Sequence, residues 1–246
     1  MPPTTCADLL RTITSEPGRP RITWYGDAGE RVELSGAVLE NWVNKTTNLL
    51  LEEFDAAPGL RVLLDLPLHW RSVVWALAVW RTGACVVTAG TAGGPPAALT
   101  VTDEPDRHAG TGPVVAVTLP ALSRRYDGTL PAGVIDAASA VMTYGDVLGW
   151  SPATNLDAPA VVGPDGETTY RDLVPPYADG IPGERRLLDL DTGRDGGLAV
   201  HLRSILEVLA ADGSVVLVAG DASRELAADP VRRSRMISSE RISSVG

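Results

Sequence analysis

A layered α/β fold, helices packed on both faces of a mainly parallel sheet, is predicted by three stretches of this 246-residue chain. Residues 61–87 read as strand, helix, strand, and residues 187–218 repeat that order with different residues. A long amphipathic helix opening near Ser35 feeds the first unit. Crossovers of this length join parallel strands, almost always right-handedly. Units of this kind, alternating along a chain, build an α/β architecture.

Asp8, Leu9, Leu10 and Ile13 give a short amphipathic first helix, ended by Pro17-Gly18. Arg21–Tyr25 and Arg31–Leu34 alternate apolar and polar residues on either side of Gly26-Asp27-Ala28-Gly29, which predicts a β-hairpin. Ser35 is the expected N-cap of the next helix. The stripe of that helix is Val38, Leu39, Trp42, Val43, Thr46, Leu49 and Leu50, and it runs to about Phe54.

Val62 to Leu66 is a short apolar run between Pro58-Gly59 and Pro67, as a strand buried on both faces reads. Pro67 ends it, because proline lacks the N–H a ladder needs. Trp70, Val73, Val74, Leu77 and Trp80 then recur at the helical period, and the unbroken apolar run Val73–Trp80 predicts burial on more than one side. His69 stands at the helix start as a cap or surface group. Arg81 in the last turn and Gly83 beyond it mark the C-terminus. Ala84–Val87 is the second strand.

Ala98–Thr102 and Val114–Val117 are further strands, and residues 119–159 read as irregular. Ala160–Val162 precedes Gly163-Pro164-Asp165-Gly166, and residues 160–171 read as a turn and a helix start. A similar grouping of Asp, Gly and Glu at Asp27–Glu30 supports a plain hairpin. Leu187–Leu190 is a strand. Leu198, Leu202, Ile205, Leu206 and Leu209 form a helix stripe after Gly196-Gly197, and Val215–Val218 is a buried strand after Asp212-Gly213. From Ala222 the chain turns polar and Arg-rich, predicting a short helix and a tail. The domain assignment is therefore residues 1–221, with a sub-boundary within 119–159, and a polar segment 222–246.

Composition excludes some functions. The net charge of −10 disfavours a nucleic-acid binder, which needs basic patches. Of the 21 basic residues, Lys45 alone is lysine. Cys6 and Cys85 are far apart, and Cys85 falls in a core strand, so both are expected as reduced thiols. The first residues lack a basic-then-apolar leader, and no apolar run approaches the ~20 residues of a membrane span. A cytoplasmic protein without membrane contact is the expectation.

The order of these parts resembles the N-terminal region of the adenylate-forming superfamily, which includes acyl-CoA synthetases, luciferases and peptide-synthetase adenylation domains. Gly59, Arg61, Val62, Leu66 and Pro67 match its G-x-R-V-x-x-x-L-P motif, and Gly83, Ala84 and Val87 match K-x-G-A-x-x-V, with Arg81 at the lysine. Gly196-Gly197-Leu198 through Ser214–Val218 is similar to the segment G-G-L … G-A-T-V-V-L. The resemblance covers most of this chain and about half of a full member.

The resemblance implies an acyl-CoA synthetase-like fold and a place to look for a phosphate loop. In the family this is a Ser/Thr/Gly-rich turn ending in Pro-Lys-Gly, whose backbone N–H groups cradle ATP phosphates. The counterpart here, Ala160–Arg171, offers Gly163, Gly166, Thr168 and Thr169 as vestigial candidates, but no lysine, and Pro164 removes a donor. The family's second lysine belongs to a C-terminal domain, and its acidic magnesium and ribose motifs lie beyond the matched region. Arginine is not a like-for-like replacement for these lysines.

Other candidates read as structural. Gly90-Thr91-Ala92-Gly93-Gly94 lacks the G-x-G-x-x-G spacing and runs into Pro95-Pro96, so it reads as a plain loop. Asp189, Asp191 and Asp195 fail the calcium-loop pattern at Arg194 and Val200. His69, His108 and His201 show no metal spacing, and no Gly-x-Ser-x-Gly elbow is present. Trp42, Trp70, Trp75 and Trp80 read as core and helix-face packing, with a partner surface as the sharper alternative. Arg232, Arg233, Arg235 and Arg241 read as a solvated tail. No residue is assigned a catalytic or metal-binding role.

The functional expectation is a non-catalytic binding or regulatory module, with ATP or AMP only as vestigial ligands and no cofactor. The alternatives are a subunit that completes an adenylating enzyme in trans through a protein partner, and a small-molecule binder unrelated to nucleotides.

Overall fold

In a computed structural model, which describes residues 3–91, 93–175, 181–190 and 197–246, the Thr5 hydroxyl caps the first helix, α1 (Cys6–Thr14), by accepting from the Asp8 N–H. The predicted hairpin follows as β1 (Pro20–Tyr25) and β2 (Arg31–Ser35), joined through a 3-10 turn at Asp27–Gly29. Ser35 caps α2 (Gly36–Phe54), accepting from the Val38 N–H at 3.4 Å. The central unit is β3 (Arg61–Asp65), α3 (Trp70–Arg81) and β4 (Cys85–Thr88). His69 caps α3: its Nδ1 accepts from the Arg71 N–H at 3.1 Å. It is buried rather than on the surface.

Strands β5 (Leu99–Thr102) and β6 (Val114–Ala116) follow. The region read as irregular holds only β7 (Ile135–Asp136), the one-turn helix α4 (Ala137–Ala140) and a 3-10 turn at Val141–Thr143. Next come β8 (Pro159–Gly163), β9 (Gly166–Thr169) and α5 (Tyr170–Leu173). The second crossover is β10 (Arg185–Leu190), α6 (Leu198–Ala210) and β11 (Ser214–Ala219). The C-terminal segment is ordered, as α7 (Gly220–Ala228), α8 (Pro230–Ser239) and β12 (Ser244–Val245).

The strands form two sheets, in the orders β12-β10-β11-β1-β2 and β7-β6-β5-β3-β4-β8-β9. Every neighbouring pair is parallel except the hairpins β1–β2 and β8–β9. The fold class read from sequence holds, but the two crossover units lie in different sheets rather than in one. Period and length identify a strand; they do not say which strand it pairs with, and β1 pairs with β11 from the far end of the chain. Helices α3 and α6 each touch strands of both sheets and so form the middle layer. This is why Trp70 through Trp80 are all buried, as befits a helix that is apolar all round. Val38, placed on a buried stripe by its spacing, is exposed. The spacing sets a face, not how much of it a neighbour covers.

The segment expected as a fraying tail instead covers the outer face of the first sheet. Leu226 of α7 and Met236 of α8 pack on Leu187, Val216 and Val218. Arg232, Arg233 and Arg235 lie on α8, not on a free tail, and Arg232 pairs with Glu225 at 2.6 Å. A half-buried carboxylate helps lock this layer. Glu240 receives Arg185 at 2.6 Å and Arg31 at 3.0 Å, and the Tyr25 hydroxyl also donates to it. Desolvation would raise its pKa, but the hydrogen bonds from Tyr25, Arg185 and Arg31 outweigh it and hold the carboxyl below its ordinary value. A depressed carboxylate pKa contributes stability above the unfolded-state value, lost as pH falls through the folded one. The layer is therefore expected to loosen below about pH 4.5. Glu240→Gln should flatten that acid limb of the stability curve, as followed by urea unfolding from pH 3 to 7; an unchanged limb would contradict the lock.

Gly36 and Gly83 are among the glycines needed for space. A Cβ on Gly36 would lie 2.2 Å from the Ile13 carbonyl oxygen, where α2 starts against the end of α1. Gly83, at φ +79, would put a Cβ 2.8 Å from Pro58 Cγ. Gly83→Ala is expected to destabilise by about 1–3 kcal/mol, from left-handed strain plus the clash, measured by thermal unfolding; a neutral result would contradict this turn geometry.

Candidate functional site

The candidate phosphate-loop residues meet at the β8–β9 hairpin. Gly163 and Gly166 face each other across a two-residue turn, Pro164-Asp165. The expected turn is present, but a strand precedes the helix start, which comes only at Tyr170. Trp80 Nε1 donates to the Ala160 carbonyl at 2.9 Å, and the Tyr170 hydroxyl donates to the Ala84 carbonyl at 2.6 Å, which bolts the hairpin to α3 and its C-terminal turn.

Between this hairpin and α6 lies a cavity of about 190 Å³. Gly163, Gly166 and Thr168 line one side; Leu202, Leu206 and Arg203 of α6 line another. Thr169 is not at the cavity: it precedes α5, and its hydroxyl donates to Asp172 at 3.0 Å. Gly163 is tightly enclosed, since a Cβ would lie 3.1 Å from Thr88 Oγ1 and 3.5 Å from Ala199 Cβ. Lys45 is elsewhere, on α2, donating to the Tyr144 carbonyl at 2.6 Å.

On the opposite face of β3 and β4 is a second groove, of about 370 Å³. Strand alternation creates it: Val62 and Leu64 point into the core, while Arg61, Leu63 and Asp65 point into the groove. Asp65 is 4 % exposed, and His108 Nε2 lies 2.7 Å from its Oδ2. Arg107 ion-pairs with Glu104 at 2.7 Å and stands 3.8 Å from Asp65. Arg61 lies under the Gly93-Gly94 turn, and its buried Nε has no partner among the described residues. The Gly90 turn, which read as a plain loop, abuts Pro164, so the groove and the cavity adjoin through the hairpin.

His108 was not singled out by its spacing. Its partner is 43 positions earlier, and the only signal was Asp65 itself, an acid inside an apolar strand that requires a partner once buried. His69 is kept neutral by burial, which with the nearby Arg71 pushes its pKa down to about 3. Burial pushes the Cys6 thiol up to about 12 and the Cys85 thiol up to about 11, so neither is a ready nucleophile. Both cysteines are free. Asp191, Arg194 and Asp195 of the acidic run, together with Ala92 and Gly196, lie outside the described residues. Among the described residues, no group of three His, Cys, Asp or Glu could hold a metal ion, and no helix is long and apolar enough to cross a membrane. Trp70, Trp75 and Trp80 are core, and Trp42 is half-buried against it; the exposed tryptophan is Trp150.

This is the acyl-CoA synthetase fold. A crystal structure of Brucella canis acyl-CoA synthetase superposes with a TM-score of 0.72 at 16 % identity, over 100 % of this chain and 47 % of that one, so the chain spans about half its length. Acetyl-coenzyme A synthetases of Helicobacter pylori (strain G27) and Helicobacter acinonychis (strain Sheeba) are each 34 % identical over 79 residues, 32 % of this chain and 12 % of theirs. No family model matches. A TIGR03089 family protein of Mycobacterium tuberculosis (strain ATCC 25618 / H37Rv) is 35 % identical over 244 residues, 95 % of this chain and 93 % of the relative. The chain belongs to that family. The resemblance to the adenylate-forming superfamily is thus borne out at the level of fold.

Proposed function

We propose that this chain is a binding module that keeps the acyl-CoA synthetase scaffold without forming adenylates. The reading is carried by the hairpin at the phosphate-loop position. Its two glycines pair across the strands, so the connection is a two-residue turn rather than an open loop of N–H donors. The chain's single lysine is held on another helix. The ligand is an acyl-CoA or related acyl phosphoester. The cavity at α6, walled in part by Trp80, Leu202 and Leu206, is smaller than the ~300–1,000 Å³ of drug-sized sites, which suits a short acyl group. The groove at Arg61, Arg107 and His108 takes the anionic part.

Two measurements test this. ATP–pyrophosphate exchange with a panel of carboxylic acids is expected to stay at background; exchange above background would overturn the reading. Short-chain acyl-CoAs are expected to raise the Tm, because a ligand bound only by the folded state stabilises it. Arg61→Ala should weaken that binding about 10- to 100-fold, the worth of a charged hydrogen bond.

A second reading, an accessory subunit acting in trans, draws support from one surface. Met142, Val147 and Trp150 are exposed, Trp150 at 71 %. Their segment is strapped to α2, where Asn48 donates to the carbonyls of Gly145 and Val147. A strictly monomeric protein that brings nothing down in pull-downs would count against it.

A further inference from the structure

Beside the first turn of α3 is a cavity of about 20 Å³, walled by Trp42 and Thr46 of α2, Trp70 and Arg71 of α3, Thr118 and Val141. That is room for one water-sized species. Two side chains at it carry buried donors without a partner among the described residues: the Trp70 indole Nε1–H and the Arg71 Nε–H. Trp70 is 3 % exposed and Arg71 8 %.

Arg71 is a buried cation whose hydrogen bonds go to neutral groups, the carbonyls of Pro120 at 3.5 Å and Ala121 at 3.3 Å. Its guanidinium lies over the Trp70 ring at 4.3 Å and 5.7 Å from the Trp42 ring, which offsets part of the lost hydration. Glu30, whose Oε1 accepts from the Ala121 N–H, supplies counter-charge to it without forming an ion pair. His69 next to it is neutral. Burial pushes the Arg71 guanidinium down to about 10, against the raising effect of Glu30. A buried charge without a partner is costly. Lining residues that carry unpaired N–H donors and a positive charge match a ligand that only accepts hydrogen bonds and carries negative charge. The N-terminal end of the α3 dipole adds to that preference.

We propose that this cavity is a binding site for a chloride-sized monovalent anion, held by Trp70 and Arg71. The anion would join α2, α3 and the irregular segment that follows β6, whose carbonyls at Pro120 and Ala121 Arg71 already grips. The site is separate from the clefts of the proposed function, so either reading stands or falls without the other.

Unfolding is to be followed in chloride and in gluconate, at the same ionic strength of about 0.15 M. Chloride is expected to raise the Tm by about 2–4 °C. Trp70→Phe should remove that increment. Crystals of the unaltered protein soaked in bromide should show an anomalous peak in the cavity, which decides the matter even if the variant does not fold. Equal Tm in the two salts, or no bromide peak in the cavity, would overturn the site.

Discussion

Trp80→Ala is expected to cost about 3–5 kcal/mol of folding stability. Trp80 is 1 % exposed and stands on α3 where the middle layer meets the β8–β9 hairpin. Truncation would join a new void to the 190 Å³ cavity that Trp80 already lines, and it would orphan the buried Ala160 carbonyl. Trp80→Phe keeps most of the ring and loses the hydrogen bond, so about 1–2 kcal/mol is expected. Urea unfolding checks both, as a fall in midpoint at unchanged slope. If alanine costs less than the phenylalanine variant, the hairpin does not depend on this contact.

Arg21→Met is the second large effect, at about 3 kcal/mol, the low end of what breaking a buried pair costs. The Arg21 side chain is fully buried. Its Nε donates to the Ile13 carbonyl at 3.0 Å, and its Nη1 donates to the carbonyls of Asp212 at 2.9 Å and Gly213 at 3.2 Å. It also lies 2.7 Å from the Asp212 carboxylate. Methionine fills the volume but leaves those carbonyls without their donor. The cost stays near the low end because the Asp212 side chain is 41 % exposed and water takes over its charge. Asp212→Asn, which keeps the backbone carbonyls paired, should cost less than 1 kcal/mol. Equal losses for the two variants would show that the ion pair matters more than the carbonyls.

Much of this was legible beforehand, for reasons specific to each element. Ser35 and His69 announced helix starts because a side-chain acceptor before an apolar stripe satisfies orphan N–H groups. The run Trp70–Trp80 announced a helix covered on several sides. The cavity was half legible: Gly163, Gly166 and Thr168 reach it, but its other wall, α6, comes from a distant stretch. The groove was not legible, since Asp65 and His108 meet only through the pairing of β3 with β5 and the short 3-10 turn after it. The C-terminal helices looked like a tail because their apolar content is low. Leu226 and Met236 nevertheless suffice once Leu187, Val216 and Val218 present a flat apolar face to them.

Local chemistry thus determined the kind of each element, its ends and its buried face, because caps, prolines and side-chain period act over a few residues. The division into two sheets, the pairing of β1 with β11, the His108–Asp65 contact and the burial of Arg71 were decided by tertiary packing. They depend on which distant surfaces exclude water together, and no run of neighbouring residues encodes that choice.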